Sequence, residues 1–310
     1  MSKFTQILQI AFDQRVGYVE KNDLEAFRLY DRESDKLTEV AVDIYRDWAV
    51  IHVFAQIPDK KIFSVIETLY KDFNAKGIYV KDRTKDGLKN LEQGFVFGEK
   101  HPEEFIVKEF ECKYLVNLEG HIDTGLFLDN REFRRIALNE SKRKRILNLF
   151  SYTGTTSVAA AKGGARETVS VDVSNTYSDW TRQNFEINAA DLMSNKIITQ
   201  DVVSFLNSEK GKPEKYDIII VDPPTFSTSK KGVFSVQKDH VQLINDCLYC
   251  LNWGGKIIFS NHCKDFHMAK PKIRGKIRGT TNKTVPPDFV RNTHNSYTII
   301  HSGKWERKVR

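Results

Sequence analysis

The chain has 310 residues, 40% of them hydrophobic and 29% charged, with Lys+Arg 48 against Asp+Glu 41. A chain this long buries a sizeable core without metal or disulfide staples, and its composition excludes wholesale disorder. No apolar run approaches a membrane span, the first residues are not a secretory signal, and four cysteines make no disulfide framework, so a cytoplasmic protein is expected.

Phe4, Ile7, Leu8, Ala11 and Phe12 recur at helical spacing. Residues 39–45 and 48–55 read as a β-hairpin with Arg46-Asp47 in the turn. Ile62, Phe63, Val65, Ile66, Leu69, Tyr70 and Phe73 carry a helical period, and 77–81 returns to strand. Residues 82–93 are charged and turn-rich. A first α/β domain over 1–98 is expected, with a possible RNA-docking face. Residues 103–110 and 111–118 follow as a β pair, and a helix spans 129–140.

From 145 the rhythm changes. Strands at 145–150, 167–172, 196–200, 216–221 and 255–260 alternate with helices near 154–162, 174–189 and 233–252, and a last strand falls at 294–301. Tyr216–Val221 is a near-continuous apolar run, as a parallel strand buried on both faces must be. The pattern predicts an α/β fold over 99–310, with a Rossmann-like doubly wound parallel sheet. Pro271, Gly275 and Gly279 leave room only for a short or irregular connection before the last strands.

Ligands of such sheets bind beyond the carboxyl ends of strands where the strand order reverses. The first of these turns is Asn148-Leu-Phe-Ser-Tyr-Thr-Gly154. It lacks the G-x-G-x-x-G pyrophosphate cradle, which argues against NAD. Asp172 ends the second strand, where a carboxylate either takes ribose hydroxyls or caps a helix, with Ser174 able to share that cap. Asp201 follows the third strand, suited to an adenine amino group or to capping a short helix. The fourth strand ends in Asp222-Pro-Pro-Thr-Phe-Ser227. The two prolines stiffen the loop and hold Asp222 over the crevice, and Phe226 offers a flat face. Enzymes that act on a base in RNA hold it by stacking and edge hydrogen bonds. The alternative is a rigid loop with a core phenylalanine.

Together these motifs resemble a class I S-adenosylmethionine-dependent methyltransferase. Thr124–Arg131, Asn148–Gly154, Asp222–Lys230, Val236-Gln-Lys-Asp-His240 and Phe259-Ser-Asn261 resemble the guanine-N7 methyltransferases of bacterial 23S ribosomal RNA, and Ala26–Asp31 and Val40–Asp43 extend the likeness into the first domain. Some relatives carry this unit behind a guanine-N2 methyltransferase half, and this chain reads as the stand-alone form.

The resemblance implies S-adenosylmethionine as methyl donor and 23S ribosomal RNA as partner, with no metal. It implies that Asp129 and Arg131 help enclose the donor. Asn148, Phe150, Ser151, Tyr152 and Gly154 would line its amino-acid end. Asp172, with Val173 and Ser174, would take the ribose, and Asp201 with Val202 the adenine. Asp222, Pro223, Pro224 and Phe226 would meet the target base, with Asp222 also at the donor. A related subgroup methylates cytosine C5 through a cysteine thiolate. Residues 222–229 contain none, leaving Cys263 as the one candidate; Cys247 and Cys250 read as helix packing.

Residues 268–310 hold eleven lysines and arginines against two acids, a net +9, leaving −2 for the first 267. Lys272, Arg274 and Lys276 are expected to contact phosphates, and Lys230 and Lys231 to flank the target-base loop. The cluster Lys142–Arg145 is expected to be solvated surface.

Overall fold

The structure, a computed structural model, describes residues 3–32, 35, 38–84, 94–121, 123–229, 232–289 and 294–301. Most of the charged loop 82–93, Lys230, Lys231 and everything beyond 301 lie outside them. The chain divides into two compact units: Met1–Arg131 with Pro286–Arg291, and Glu132–Val285 with Asn292–Arg310.

The first unit runs α1 (Lys3–Lys21), β1 (Ala26–Asp31), β2 (Val40–Tyr45), β3 (Trp48–Val53), α2 (Asp59–Lys71), β4 (Gly77–Asp82), β5 (Gly94–Gly98), β6 (Phe105–Glu109) and β7 (Cys112–Val116). Strands β1 to β5 form one sheet in chain order. All pairs are antiparallel except β3–β4, which α2 connects. Ile62, Val65, Ile66 and Leu69 make one helical stripe. They pack with Leu8 and Ala11 of α1 onto the sheet face that carries Val42, Ile51 and Val80.

Alternate strand positions put buried charges on the opposite face. Arg28 bonds Asp43 (2.5 Å) and Asp31 (2.9 Å), and His52 bonds Asp43 (2.9 Å). Buried charges are tolerated only when paired in this way.

The boundary expected near residue 98 moves to 131. The β6–β7 hairpin belongs to the first unit, because Glu25 donates its N–H to the Lys108 carbonyl (3.1 Å) and accepts the Lys108 N–H on its carboxylate (2.8 Å). Phe105 also packs edge-on against Trp48, with ring centroids 5.0 Å apart.

The second unit opens with α3 (Arg131–Glu140), whose first residue closes the first unit. It comprises β8 (Arg145–Leu149), α4 (Thr155–Lys162), β9 (Glu167–Asp172), α5 (Asn175–Ile187), β10 (Asn195–Thr199), α6 (Val202–Glu209), β11 (Tyr216–Val221), β12 (Phe226–Ser229), β13 (Gly232–Ser235), α7 (Val236–Tyr249), β14 (Leu251–Asn261), β15 (Lys276–Gly279), α8 (Thr281–Thr284) and β16 (Asn295–Ile300). The main sheet has the order β10-β9-β8-β11-β14-β16-β15. Its first five strands are parallel, β16 is antiparallel to β14, and β15 antiparallel to β16.

The chain winds outward from β8 to β10, then returns to β11 on the other flank of β8. That reversal is the switch point at which the crevice opens. Val221 pairs with Leu149 and with Phe259, so Phe150, Asp222 and Ser260 stand level at one rim, with β14 running on to Asn261. The connection from β14 to β15 contains only a 3₁₀ turn at Lys270–Lys272, in accord with Pro271, Gly275 and Gly279. Arg145 departs from the expected solvated cluster. It is buried, bonds Glu167 (2.5 Å), and stacks its guanidinium over Tyr216.

Candidate active site

After β8 the chain coils tightly: Phe150, Tyr152 and Gly154 all have positive φ (57°, 51° and 72°). Each non-glycine residue held there costs about 1–2 kcal/mol, and such strain concentrates at functional loops. Hydrogen bonds hold the coil. Ser151 donates its N–H to the Val171 carbonyl (3.1 Å), Tyr152 to Asp172 Oδ2 (2.9 Å), and Gly154 to the Ser151 carbonyl (2.9 Å). From α5, Thr181 Oγ1 donates to the Tyr152 carbonyl (3.1 Å) and Asn184 Nδ2 to that of Thr153 (2.8 Å). Gly154 is required twice over: its φ is left-handed, and a Cβ there would lie 2.3 Å from Thr181 Cγ2.

Asp172 is half-buried at the end of β9. Its Oδ2 takes the Tyr152 N–H, and its Oδ1 that of Ser174 (3.0 Å). Burial pushes this carboxyl above the usual aspartate value, and the amides of Ser174, Tyr152 and Val173 pull it back in part. Each carboxylate oxygen has two lone pairs, so acceptor capacity remains. Ser174 Oγ caps α5 at Tyr177 N (3.3 Å), which frees Asp172 from the capping role. Asp201 does cap: its Oδ1 accepts the Ser204 N–H (3.0 Å) and hydroxyl (2.8 Å).

Val173 and Val203, each following one of these acids, are unusually exposed for valines at 69% and 44%. Val202 instead packs into the sheet core, so the valine that faces outward here is its neighbour. Asn148 also lies inside, its amide donating to Ser157 Oγ (3.0 Å), which in turn bonds Ser170 (2.7 Å).

At the end of β11, Asp222 Oδ1 accepts the Ser260 hydroxyl at 2.5 Å. Pro223 is buried and Pro224 exposed. The loop runs into the β12–β13 hairpin, anchored by Val236 N to the Thr225 carbonyl (3.1 Å). In that hairpin Phe226 pairs with Ser235 and Ser227 with Phe234, so the two phenylalanines occupy opposite faces. Phe234 packs on Phe150, with centroids 5.8 Å apart. Phe226 is 68% exposed, so it is not a core residue.

Sequence reasoning missed Ser260 as the partner of Asp222, Thr181 and Asn184 as supports of the coil, and Phe234 as its cover. Only Ser260 left a signal, lying one residue before the end of the last parallel strand.

Asp129 and Arg131 belong to the first unit. Asp129 sits in a 3₁₀ turn and is half-buried. Arg131, expected beside the donor, has no exposed surface. Its guanidinium meets Asp288 (2.6 Å), Glu109 (3.1 Å) and the Ala26 carbonyl (2.8 Å). Burial works against its charge, and the carboxylates of Asp288 and Glu109 more than offset this, holding it firmly protonated. It is a structural clasp.

Cys247 and Cys250 are buried, and burial pushes both thiols up, Cys250 to about 11, as packing residues behave. Among the described residues no cluster of His, Cys, Asp and Glu is suited to a metal ion, and no helix is long and apolar enough to cross a membrane.

The rim therefore offers acceptor carboxylates at Asp172 and Asp222, exposed aliphatic surface at Val173 and Val203, and a strained loop between them. This donor set fits a nucleoside with a charged tail: hydroxyls for Asp172, an apolar ring for the valines, and a cationic centre toward Asp222. Sheet order, switch point and rim acids together define a Rossmann-like S-adenosylmethionine-dependent methyltransferase. The family of S-adenosylmethionine-dependent methyltransferases matches residues 93–268, and the chain belongs to it.

More particularly, the chain is similar to the ribosomal RNA large subunit methyltransferase K/L of Marinomonas sp. (strain MWYL1), 35% identical over 296 residues, covering 91% of this chain and 40% of that protein. The protein of the same name from Pseudomonas fluorescens is 37% identical over 302 residues, covering 93% and 39%. The chain thus spans about two fifths of the length of these curated relatives. Among solved structures, the SMU.776 methyltransferase complexed with SAH superposes with a TM-score of 0.85 at 29% identity, covering 96% of this chain and 80% of that one.

Proposed function

We propose that the chain transfers a methyl group from S-adenosylmethionine to N7 of a guanine in 23S ribosomal RNA. The observation that carries this reading is the Asp222–Phe226 loop: a carboxylate fixed by Ser260, followed by an exposed aromatic face on a stiff, proline-bound turn. The large-subunit rRNA relatives support the substrate class.

S-adenosylmethionine supplies a methyl group activated by its sulfonium charge. The protein's share is placement. Asp172 would accept the ribose hydroxyls, Val173 and Val203 would hold the adenine, and Asp201, its Oδ1 engaged in capping, would meet the adenine amino group. The coil 150–154 receives the amino-acid end. Guanine N7 carries an in-plane lone pair, so no general base is needed, and orientation is the main demand. Phe226 stacks the unpaired base. The methylated purine gains positive charge, and the Asp222 carboxylate, oriented by Ser260, stabilises that charge as it develops.

The cytosine-C5 reading requires a thiolate nucleophile. Cys263 is half-buried and packs against the sheet core, and no contact of its sulfur favours that role.

The test is Asp222→Asn. The account expects normal folding and donor binding with turnover reduced on the order of 100-fold, the scale of losing one preorganised electrostatic group. Wild-type turnover would remove Asp222 from the chemistry.

A further inference from the structure

The segment joining β14 to β15 replaces the crossover helix that a doubly wound sheet ordinarily carries. Lys270, Lys272 and Arg274 at its end, with Lys276 and Arg278 of β15, occupy every second position from 270 to 278, and all five are exposed. Of the residues between them Pro271 is exposed, and from 273 onward the alternate residues turn inward. Ile273 is buried, Ile277 packs on the sheet core, and a Cβ at Gly275 would lie 2.5 Å from Ile299 Cγ2. Arg274 bonds the Tyr249 hydroxyl (2.6 Å). Among the described residues Lys270, Lys272, Lys276 and Arg278 form no ion pair.

Helix α7 holds this segment as a neighbouring strand would. Asn245 donates to the Lys272 carbonyl (3.0 Å) and accepts the Arg274 N–H (3.0 Å), the two bonds a peptide group makes across a ladder. Gln237 exchanges a bond in each direction with the His267 backbone (2.8 and 3.2 Å). His240 lies between them. Its Nδ1 faces the carbonyls of Val236 (3.1 Å) and Gln237 (3.0 Å) and so carries the proton, leaving Nε2 to accept the Ala269 N–H (3.1 Å).

The row also has a direction. Lys276 pairs with Ile300, which pairs with Lys256 in the middle of β14, while Gly279 pairs with Tyr297, which pairs with Phe259, which pairs with Val221. The cations climb the open edge of the sheet and end at Arg278, level with Ile220, two residues before Asp222. Three strand spacings, about 14 Å, separate the two.

We propose that this pinned row is the docking edge for the RNA sugar-phosphate backbone, delivering a strand along the sheet to the crevice, with Asn245 as a positioning residue. The inference rests on the reading of the chain as an RNA methyltransferase. Lysines on an edge strand also serve to block edge-to-edge pairing, and the test separates the two.

The quadruple variant Lys270→Gln, Lys272→Gln, Lys276→Gln, Arg278→Gln is compared with wild type for binding to deproteinised 23S rRNA from a strain lacking the gene, across about 50–300 mM KCl. S-adenosylmethionine binding is measured in parallel by calorimetry as the check on folding. The expected result is unchanged donor binding, RNA affinity at least about 10-fold weaker at low salt, and a log K against log salt slope flatter by roughly 3, since each cation contributes about 0.7–0.9. Asn245→Ala keeps every cation and is expected to flatten the slope by about 1 as the row loses its pinning.

Unchanged affinity and slope in a quadruple variant that binds the donor overturn the proposal, and new self-association in that variant assigns the row to edge protection. If the quadruple variant fails to bind the donor, Lys276→Gln with Arg278→Gln must flatten the slope by about 1.5, or the proposal fails. A wild-type protein that binds the donor but neither binds nor methylates the rRNA sinks the functional reading instead.

Discussion

Asp172 Oδ2 accepts the backbone N–H of Tyr152 at 2.9 Å, tying the end of β9 to the strained coil that follows β8. One carboxylate thus shapes the loop and, in our account, binds the ribose. Asp172→Ala removes both functions, whereas Asp172→Asn keeps an acceptor oxygen but loses the charge. Hydrogen bonds to charged groups are worth about 1.5–3 kcal/mol. Calorimetry should therefore show donor affinity about 10–100-fold weaker for the alanine variant, with the asparagine variant between it and wild type.

Gly154→Ala sets a left-handed φ of 72° against a contact of 2.3 Å with Thr181 Cγ2. Strain and clash together should lower stability by roughly 2–4 kcal/mol. Adding Thr181→Ala removes the clash and leaves the backbone strain, so urea unfolding should show the double variant more stable than Gly154→Ala alone.

The order of the parallel strands was legible because a strand buried on both faces must be apolar throughout, as Ile218–Val221 are. The rim acids were legible because they stand where apolar runs stop. What stayed hidden follows from long-range pairing. β1 carries no strand signal of its own, because Arg28 and Asp31 interrupt its apolar pattern and their pairing depends on Asp43 from another strand. β15 and the β12–β13 hairpin are four-residue strands, too short and too polar for their alternation to mark them as strands. The burial of Arg131 stayed hidden because its partner lies 157 residues later, at Asp288. Nothing local distinguishes a buried clasp from a ligand-binding arginine.

Arg131→Met strands the carboxylates of Asp288 and Glu109, both fully buried. Removing one partner of a buried ion pair costs about 3–5 kcal/mol. Thermal unfolding should show that loss, while donor affinity of the folded variant stays at the wild-type level. A donor-binding defect in the fully folded variant would restore Arg131 to the site.

Lys81 is wholly buried in the first unit, donating to the carbonyls of Glu119 (3.3 Å) and His121. Burial, aided by the nearby Arg83, lowers its ammonium from the ordinary lysine value to about 8. Below that pH both folded and unfolded chains carry the proton, and the folded state bears the burial penalty in full. Above about 8, and up to the unfolded value near 10.5, the unfolded chain binds more protons than the folded one, so stability rises with pH across this window by up to about 3 kcal/mol. Urea unfolding should show that rise in wild type and its absence in Lys81→Gln.

The atom that receives the methyl group can be read directly from the product. Purified protein, S-adenosylmethionine and 23S rRNA from a strain lacking the gene are incubated together, and the digested nucleosides are resolved by mass spectrometry. The account expects 7-methylguanosine at a single site per 23S molecule. Formation of 5-methylcytidine or N2-methylguanosine in its place, or no methylated nucleoside at all, would contradict it.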